Sequence, residues 1–134
     1  MNKVKLADTL PLNILVADDV QYNQILLQEL LQRLGYEPDI VSSGKDVLAQ
    51  MRQQHYDAIL MDIQMNEIDG IETMRQIVRE WEQKNRPFII AVTANASQED
   101  REKYLAAGMD EYISKPIDFA LLEKILLQVC SRVK

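Results

Sequence analysis

The stretch Ile14-Leu15-Val16-Ala17-Asp18-Asp19 decides the fold. An unbroken apolar run ends on two acids. A short apolar run bounded by polar residues reads as a strand buried on both faces of a parallel sheet. The design recurs at Ala58-Ile59-Leu60-Met61-Asp62. In open parallel sheets the ligand crevice lies outside the carboxyl ends of the strands. Asp18, Asp19 and Asp62 should therefore share one crevice. Crowded carboxylates raise one another's pKa unless a cation or a shared proton relieves them. A hard divalent ion with oxygen ligands, Mg²⁺ (or Mn²⁺), is the natural relief.

Working outward, strands and helices alternate. Residues 1–12 read as an N-terminal tail or linker, and residues 13–134 as one domain. The first strand covers Asn13 to Ala17. Leu26, Leu27, Leu30, Leu31 and Leu34 form the stripe of an amphipathic helix that Gly35 stops. Glu37 to Val41 is a more polar strand suited to a sheet edge. A helix with Val47, Leu48 and Met51 follows, then a strand from Tyr56 to Met61 and a long loop from Asp62 to Gly70. The next helix carries Ile71, Met74, Ile77, Val78 and Trp81, with Trp81 at the core or its rim. Phe88 to Val92 is a fourth strand, Gln98 to Ala107 a short helix ended by Gly108, and Glu111 to Ile113 a fifth strand. The last helix starts near Asp118, with Leu121, Leu122, Ile125, Leu126 and Val129 apolar. Five alternations imply an α/β fold: a doubly wound, five-stranded parallel sheet with right-handed crossovers and helices on both faces.

The bulk numbers bound the function. A chain of 134 residues fits one domain and can bury roughly two-thirds of its unfolded surface. Its net charge of −6, without a basic run, argues against sequence-independent nucleic-acid binding, which needs Lys and Arg against phosphates. No apolar segment is long enough to cross a bilayer, and the opening has no secretory h-region. Cys130 is alone, reads as a small apolar residue of the last helix, and fits a reducing cytoplasm. His55, the sole histidine, reads as a surface residue.

Placing the strand ends side by side adds Thr93 and Lys115 to the acids. One hydroxyl, one ammonium and an acidic metal cluster make a site that can accept and hold a phosphoryl group. A carboxylate can be the nucleophile and form an aspartyl-phosphate. Lys115 would pair with the phosphate as a point charge, and Thr93 would donate to a phosphoryl oxygen. Taken singly, Asp18 or Asp19 could be a helix N-cap, Asp62 a loop acid and Lys115 a solvated lysine. Tyr112 is equally explained by partial packing.

At Val16-Ala17-Asp18-Asp19, Leu60-Met61-Asp62-Ile63-Gln64-Met65 with Asp69-Gly70, Ala91-Val92-Thr93-Ala94 and Tyr112-Ile113-Ser114-Lys115-Pro116, the chain resembles the receiver domain of two-component response regulators. The likeness runs from Asn13 to the end, and Leu34-Gly35-Tyr36 with the Met-Asp-Ile-Gln-Met run is most similar to receivers of hybrid histidine kinases. The resemblance implies a flavodoxin-like fold with strand order 2-1-3-4-5. It implies Asp62 as phosphoacceptor, Asp19 as direct and Asp18 as water-mediated metal ligand, and a backbone carbonyl of Gln64 on the metal. Thr93 and Lys115 become the phosphate-sensing pair, Tyr112 the switch aromatic, and the Lys115–Pro116 bond cis. Asn66 stands where the family usually has Pro, which restores an N–H and loosens that loop. Gln64 and Asn95 occupy positions that tune phosphate loss.

The expected function is a phosphorelay switch rather than a turnover enzyme. A sensor histidine kinase or a histidine phosphotransfer protein donates to Asp62, and the charge added there biases a surface around the helix from Gln98, the fifth strand and the last helix. No output domain follows the last helix, so the output is partner binding or onward transfer. Those last two helices are also a candidate homodimer surface. A haloacid-dehalogenase-type aspartyl phosphatase is the alternative. It wants a second Asp two residues after the nucleophile, where this chain has Gln64. A nucleotide or flavin module would need a phosphate loop in place of Asp18-Asp19-Val20-Gln21. A receiver-like domain that no longer takes phosphate would not need the full set of acids, Thr93 and Lys115.

Overall fold

The computed structural model describes residues 4–65, 68–94 and 97–133, the last four of these by backbone alone. The expectations for Asn66, Asn95 and the side chain of Cys130 lie outside the described residues. The elements run α1 (Leu6–Thr9), β1 (Ile14–Ala17), α2 (Gln21–Arg33), β2 (Asp39–Val41), α3 (Gly44–Gln53), β3 (Ala58–Asp62), α4 (Gly70–Glu80), a 3₁₀ turn (Gln83–Asn85), β4 (Phe88–Thr93), α5 (Gln98–Ala106), β5 (Glu111–Ser114) and α6 (Phe119–Val133). All strand pairings are parallel, and the sheet order is β2-β1-β3-β4-β5.

Alternation along the strands divides the core into two layers. Val16, Leu60, Ile90, Val92 and Ile113 face α2 and α6, where they meet Leu27, Leu31, Leu122 and Leu126. Leu15, Ile59, Met61, Ile89 and Ala91 face the other way, onto Val47, Leu48, Met74, Ile77 and Tyr104. Every residue of β1, β3 and β4 is buried, as expected of central strands covered on both sides. Trp81 packs at the rim of the second layer. His55 is exposed, 3.4 Å from an Asp57 carboxylate oxygen.

Strand limits differ by a residue or two from the apolar runs. β2 begins at Asp39, after Pro38, which has no N–H to give the ladder. β3 starts at Ala58, where its pairing with Ile14 of β1 and Phe88 of β4 begins, and the Tyr56 hydroxyl before it donates to the Asp39 carboxylate at 2.6 Å. At their other ends, β3 and β4 include Asp62 and Thr93 as last residues. Two polar side chains are thereby held by the ladder itself, not by the loops beyond it. Side-chain oxygens of Ser43, Asp69 and Ser97 cap α3, α4 and α5, each satisfying an orphan N–H.

The segment expected as a tail carries α1 and docks on the end of α2. The Ala7 N–H donates to the Leu34 carbonyl at 2.9 Å, and the Tyr36 hydroxyl donates to the Leu10 carbonyl at 2.6 Å. Leu6, Ala7 and Leu12 pack against the first core layer. Gly35 makes this approach fit. Its φ is +95°, and a Cβ there would lie 2.9 Å from the Ala7 Cβ. Gly35→Ala should cost about 1–2 kcal/mol from the left-handed backbone alone, seen as a lower melting temperature. Deleting residues 1–11 removes the steric part of the loss and leaves the backbone part. An unchanged melting temperature in Gly35→Ala would contradict this.

Candidate functional site

The sheet order sets β1 beside β3, β3 beside β4 and β4 beside β5. In register, Ala17 pairs with Met61, Asp62 with Val92, and Thr93 with Ser114. The ends carrying Asp18, Asp62, Thr93 and Lys115 therefore lie in one row. The structure brings the expected residues together. One carboxylate oxygen each from Asp18, Asp19 and Asp62 lie within 4.8 Å of one another. Lys115 Nζ sits 3.6 Å from Asp62 Oδ2 and 3.9 Å from Asp18 Oδ2. The Lys115 N–H donates to the Thr93 carbonyl at 2.8 Å, which ties the two strand ends. The Lys115–Pro116 bond is cis.

Backbone amides orient two of the three acids. Asp18 Oδ1 accepts the Val20 N–H at 2.9 Å, and Asp62 Oδ1 accepts the Gln64 N–H at 3.1 Å. These are short Asx turns, formed because an Asp side chain reaches an amide two residues on. Gly70 lets the start of α4 lie against this turn. A Cβ on it would come 2.7 Å from the Asp62 carbonyl oxygen.

Electrostatically the cluster is costly. Asp18 is fully buried and Asp62 is 4% exposed. Asp18 Oδ2 is buried with no hydrogen-bond partner among the described residues. A buried carboxylate oxygen in that position calls for a cation or further hydrogen bonds. Burial pushes the Asp62 carboxyl above the ordinary carboxylate range, and the charges of Asp18 and Asp19 push the same way. The Gln64 N–H and Lys115 oppose them. A divalent cation fits this donor set: all-oxygen, acidic, with Asp19 partly open to water. Mg²⁺ is commonly held by one or two carboxylates while it keeps several waters.

A cavity of about 480 Å³ opens on the cluster, lined by Asp19, Gln64, Met65, Asp100, Lys103 and Tyr104 among others. On the far side of Lys115 lies a second, of about 380 Å³, bounded by Tyr22, Leu26, Pro116 and Ile117. Two features here were not among the expected site residues. Tyr104 OH lies 3.1 Å from Thr93 Oγ1 in a buried contact. Val20, Tyr22 and Ile25, near the start of α2, are 47%, 73% and 48% exposed. The signal for Tyr104 was a lone aromatic in a polar helix. For the other three it was apolar character off the buried leucine stripe.

The raised Asp62 pKa has a stability consequence. The folded chain binds this proton more tightly than the unfolded chain. Stability contributed by Asp62 is therefore greatest when it is protonated, and falls as pH rises from the ordinary carboxylate range through the raised value. In EDTA at neutral pH, Asp62→Asn should raise the melting temperature by about 2–6 °C, the shift that about 1 kcal/mol produces in a domain of this size. The difference should shrink in acid. A lower melting temperature for the variant at neutral pH would refute the assignment of strain to this carboxylate.

Comparison with known proteins agrees with this geometry. Residues 14–127 match the family model of the response regulator receiver domain. The hybrid signal transduction histidine kinase L of Dictyostelium discoideum is 46% identical over 119 residues, covering 84% of this chain and 7% of that protein's length. The receiver domain of the sensor histidine kinase PA1611 from Pseudomonas aeruginosa, solved with a magnesium ion in its active site cleft, superposes with a TM-score of 0.80. It is 40% identical, with 90% of this chain and 98% of that chain covered. The receiver domain of Ssk1 from Saccharomyces cerevisiae, solved with the histidine phosphotransfer protein Ypd1, gives a TM-score of 0.81 at 26% identity, covering 89% and 88%. Its sheet order, its strand-end acids and these matches together make the chain a member of the response regulator receiver domain family, of the two-component phosphorelay.

Proposed function

We propose that Asp62 is the phosphoacceptor of this receiver domain and that a phosphohistidine on a sensor histidine kinase or a histidine phosphotransfer protein is the donor. One observation carries the reading: Asp62 is a buried carboxylate at a strand end, 3.6 Å from an ammonium and clustered with two further acids. With the other ring nitrogen of the phosphohistidine protonated, an Asp62 carboxylate oxygen attacks phosphorus, the P–N bond breaks, and its electron pair returns to the imidazole nitrogen. The product is an acyl phosphate on Asp62 and a neutral histidine on the donor. Lys115, now paired with Asp62, would pair with the phosphoryl oxygens, and Thr93 would donate to one of them. Asp18, Asp19 and Asp62, with the Gln64 carbonyl, would hold Mg²⁺. When bound, the ion offsets the charge gathered on the acceptor and the phosphoryl oxygens.

The modification places about 1.5–2 negative charges in the crevice. Thr93 and Tyr112 would carry this change to α5, β5 and α6. The domain would promote its own phosphorylation and dephosphorylation, in the cytoplasm, without turning over an external substrate. Residues 13–134 would form the receiver unit, with residues 1–12 leading into it. No helix among the described residues is long and apolar enough to cross a membrane. Nothing in the site or the comparisons supports the aspartyl phosphatase alternative.

The donor has to reach Asp62 past the rim of the crevice. Val20, Tyr22 and Ile25 expose an apolar face at the start of α2, with Tyr22 lining the cavity beside Lys115, which suits an amphipathic helix bearing the phosphohistidine.

Incubation with acetyl phosphate and Mg²⁺ should add one phosphoryl group per chain, seen by intact mass. EDTA and Asp62→Asn should each abolish it. Labelling of Asp62→Asn at the wild-type level would refute the assigned acceptor. Tyr22→Ala combined with Ile25→Ala should slow transfer from a phosphorylated histidine phosphotransfer protein by about tenfold more than transfer from acetyl phosphate, the loss of about 1.4 kcal/mol at a docking contact. Equal slowing of both donors would place the effect elsewhere.

A further inference from the structure

α5 is the most polar of the long helices, and Tyr104 is its one buried residue. The ring of Tyr104 belongs to the second core layer, and its hydroxyl reaches Thr93 Oγ1 at 3.1 Å. Both residues are almost fully buried, at 4% and 2% exposed. The same helix sets the Arg101 guanidinium 4.7 Å from the centre of the Tyr112 ring, within cation–π range. α5 thus touches both Thr93 and Tyr112.

The Thr93 hydroxyl that would donate to a phosphoryl oxygen on Asp62 is held against the Tyr104 hydroxyl. Whichever hydroxyl supplies the hydrogen, the 3.1 Å contact keeps Thr93 Oγ1 beside Tyr104. In a buried, low-dielectric setting that contact is costly to stretch. Tyr104 also lines the cavity that opens beside Asp19.

We propose that Tyr104 is a positioning residue that holds Thr93 in its resting place, so that phosphoryl uptake at Asp62 has to break the Tyr104–Thr93 contact and releases α5 as it does so. The proposal rests on the reading of Asp62 and Thr93 above. It gives α5 a role distinct from that of Tyr112. The helix is secured to the sheet at the point where the signal arrives, and that point lets go when Thr93 moves. A single hydroxyl then sets how far the resting state is favoured.

Tyr104→Phe keeps the ring in the core and removes only the hydroxyl. In saturating Mg²⁺, beryllofluoride titrated against the wild type and this variant, followed by fluorine NMR, should bind the variant about fivefold more tightly. A lost hydrogen bond between neutral groups changes an equilibrium by about that factor. Mg²⁺ affinity alone should be unchanged, since the contact the variant removes is the one to Thr93. In a Thr93→Val background Tyr104→Phe should make no difference. A merely structural role for Tyr104 would not produce this dependence on Thr93. Unchanged or weaker beryllofluoride binding by Tyr104→Phe overturns the proposal, as does the same gain in the Thr93→Val background. If the wild type itself binds no beryllofluoride, or Asp62→Asn binds it equally, the reading of Asp62 fails first and the proposal falls with it.

Discussion

The rest of the structure is arranged around mutual repulsion among carboxylates held out of water. Asp18 is fully buried, Asp62 nearly so, and Asp19 stands at the opening. One lysine, 3.6 Å from Asp62 and 3.9 Å from Asp18, faces this charge. Its attraction offsets only part of the cost, since burial and the neighbouring acids still hold the Asp62 carboxyl above its ordinary range. A fold tuned for stability alone would not keep Asp18 Oδ2 buried with no hydrogen bond from the described residues. Function-bearing sites commonly carry such a cost while the surrounding core supplies the stability. Here the core consists of two apolar layers on a sheet whose central strands are wholly buried.

Parallel topology turns that core into a positioning device. Every strand ends on the same side, so residues distant in sequence arrive at one edge. The order β2-β1-β3-β4-β5 places the acid-bearing strands next to each other and the hydroxyl- and ammonium-bearing strands beyond them. Because Asp62 and Thr93 close their strands, their backbones are fixed by ladder hydrogen bonds. Lys115 is coupled to Thr93 through the bond from its N–H to the Thr93 carbonyl. A change at Asp62 would thus have short routes outward, through β5 and through Tyr104 into α5.

Much of this was legible in the chain. Buried strands announce themselves as unbroken apolar runs, and Asp18, Asp62, Thr93 and Lys115 stand at or next to their ends. Gly35 and Gly108 stop helices where positive φ is found, at +95° and +112°. What escaped were contacts between elements. Leu6 to Thr9 is too short a run for periodicity to register, and its order comes from Leu34, Gly35 and Tyr36 across the fold. Tyr104 gave a hint of burial but none of its partner, because the bond to Thr93 spans a strand end and a helix. Val20, Tyr22 and Ile25 sit on an ordinary amphipathic helix, and only its docking angle decides which apolar residues stay uncovered. Tyr112, expected as the switch aromatic, is half-buried under Arg101.

The central claim is that these three acids form one site for one small hard cation. Calorimetric titration of Mg²⁺ into the protein tests it most directly. The account predicts saturation at one ion per chain, with affinity falling at least about tenfold in both Asp18→Asn and Asp62→Asn, as removal of a charged ligand from a carboxylate site implies. Absence of saturable binding to the wild type, or equal affinity in the two variants and the wild type, would contradict it.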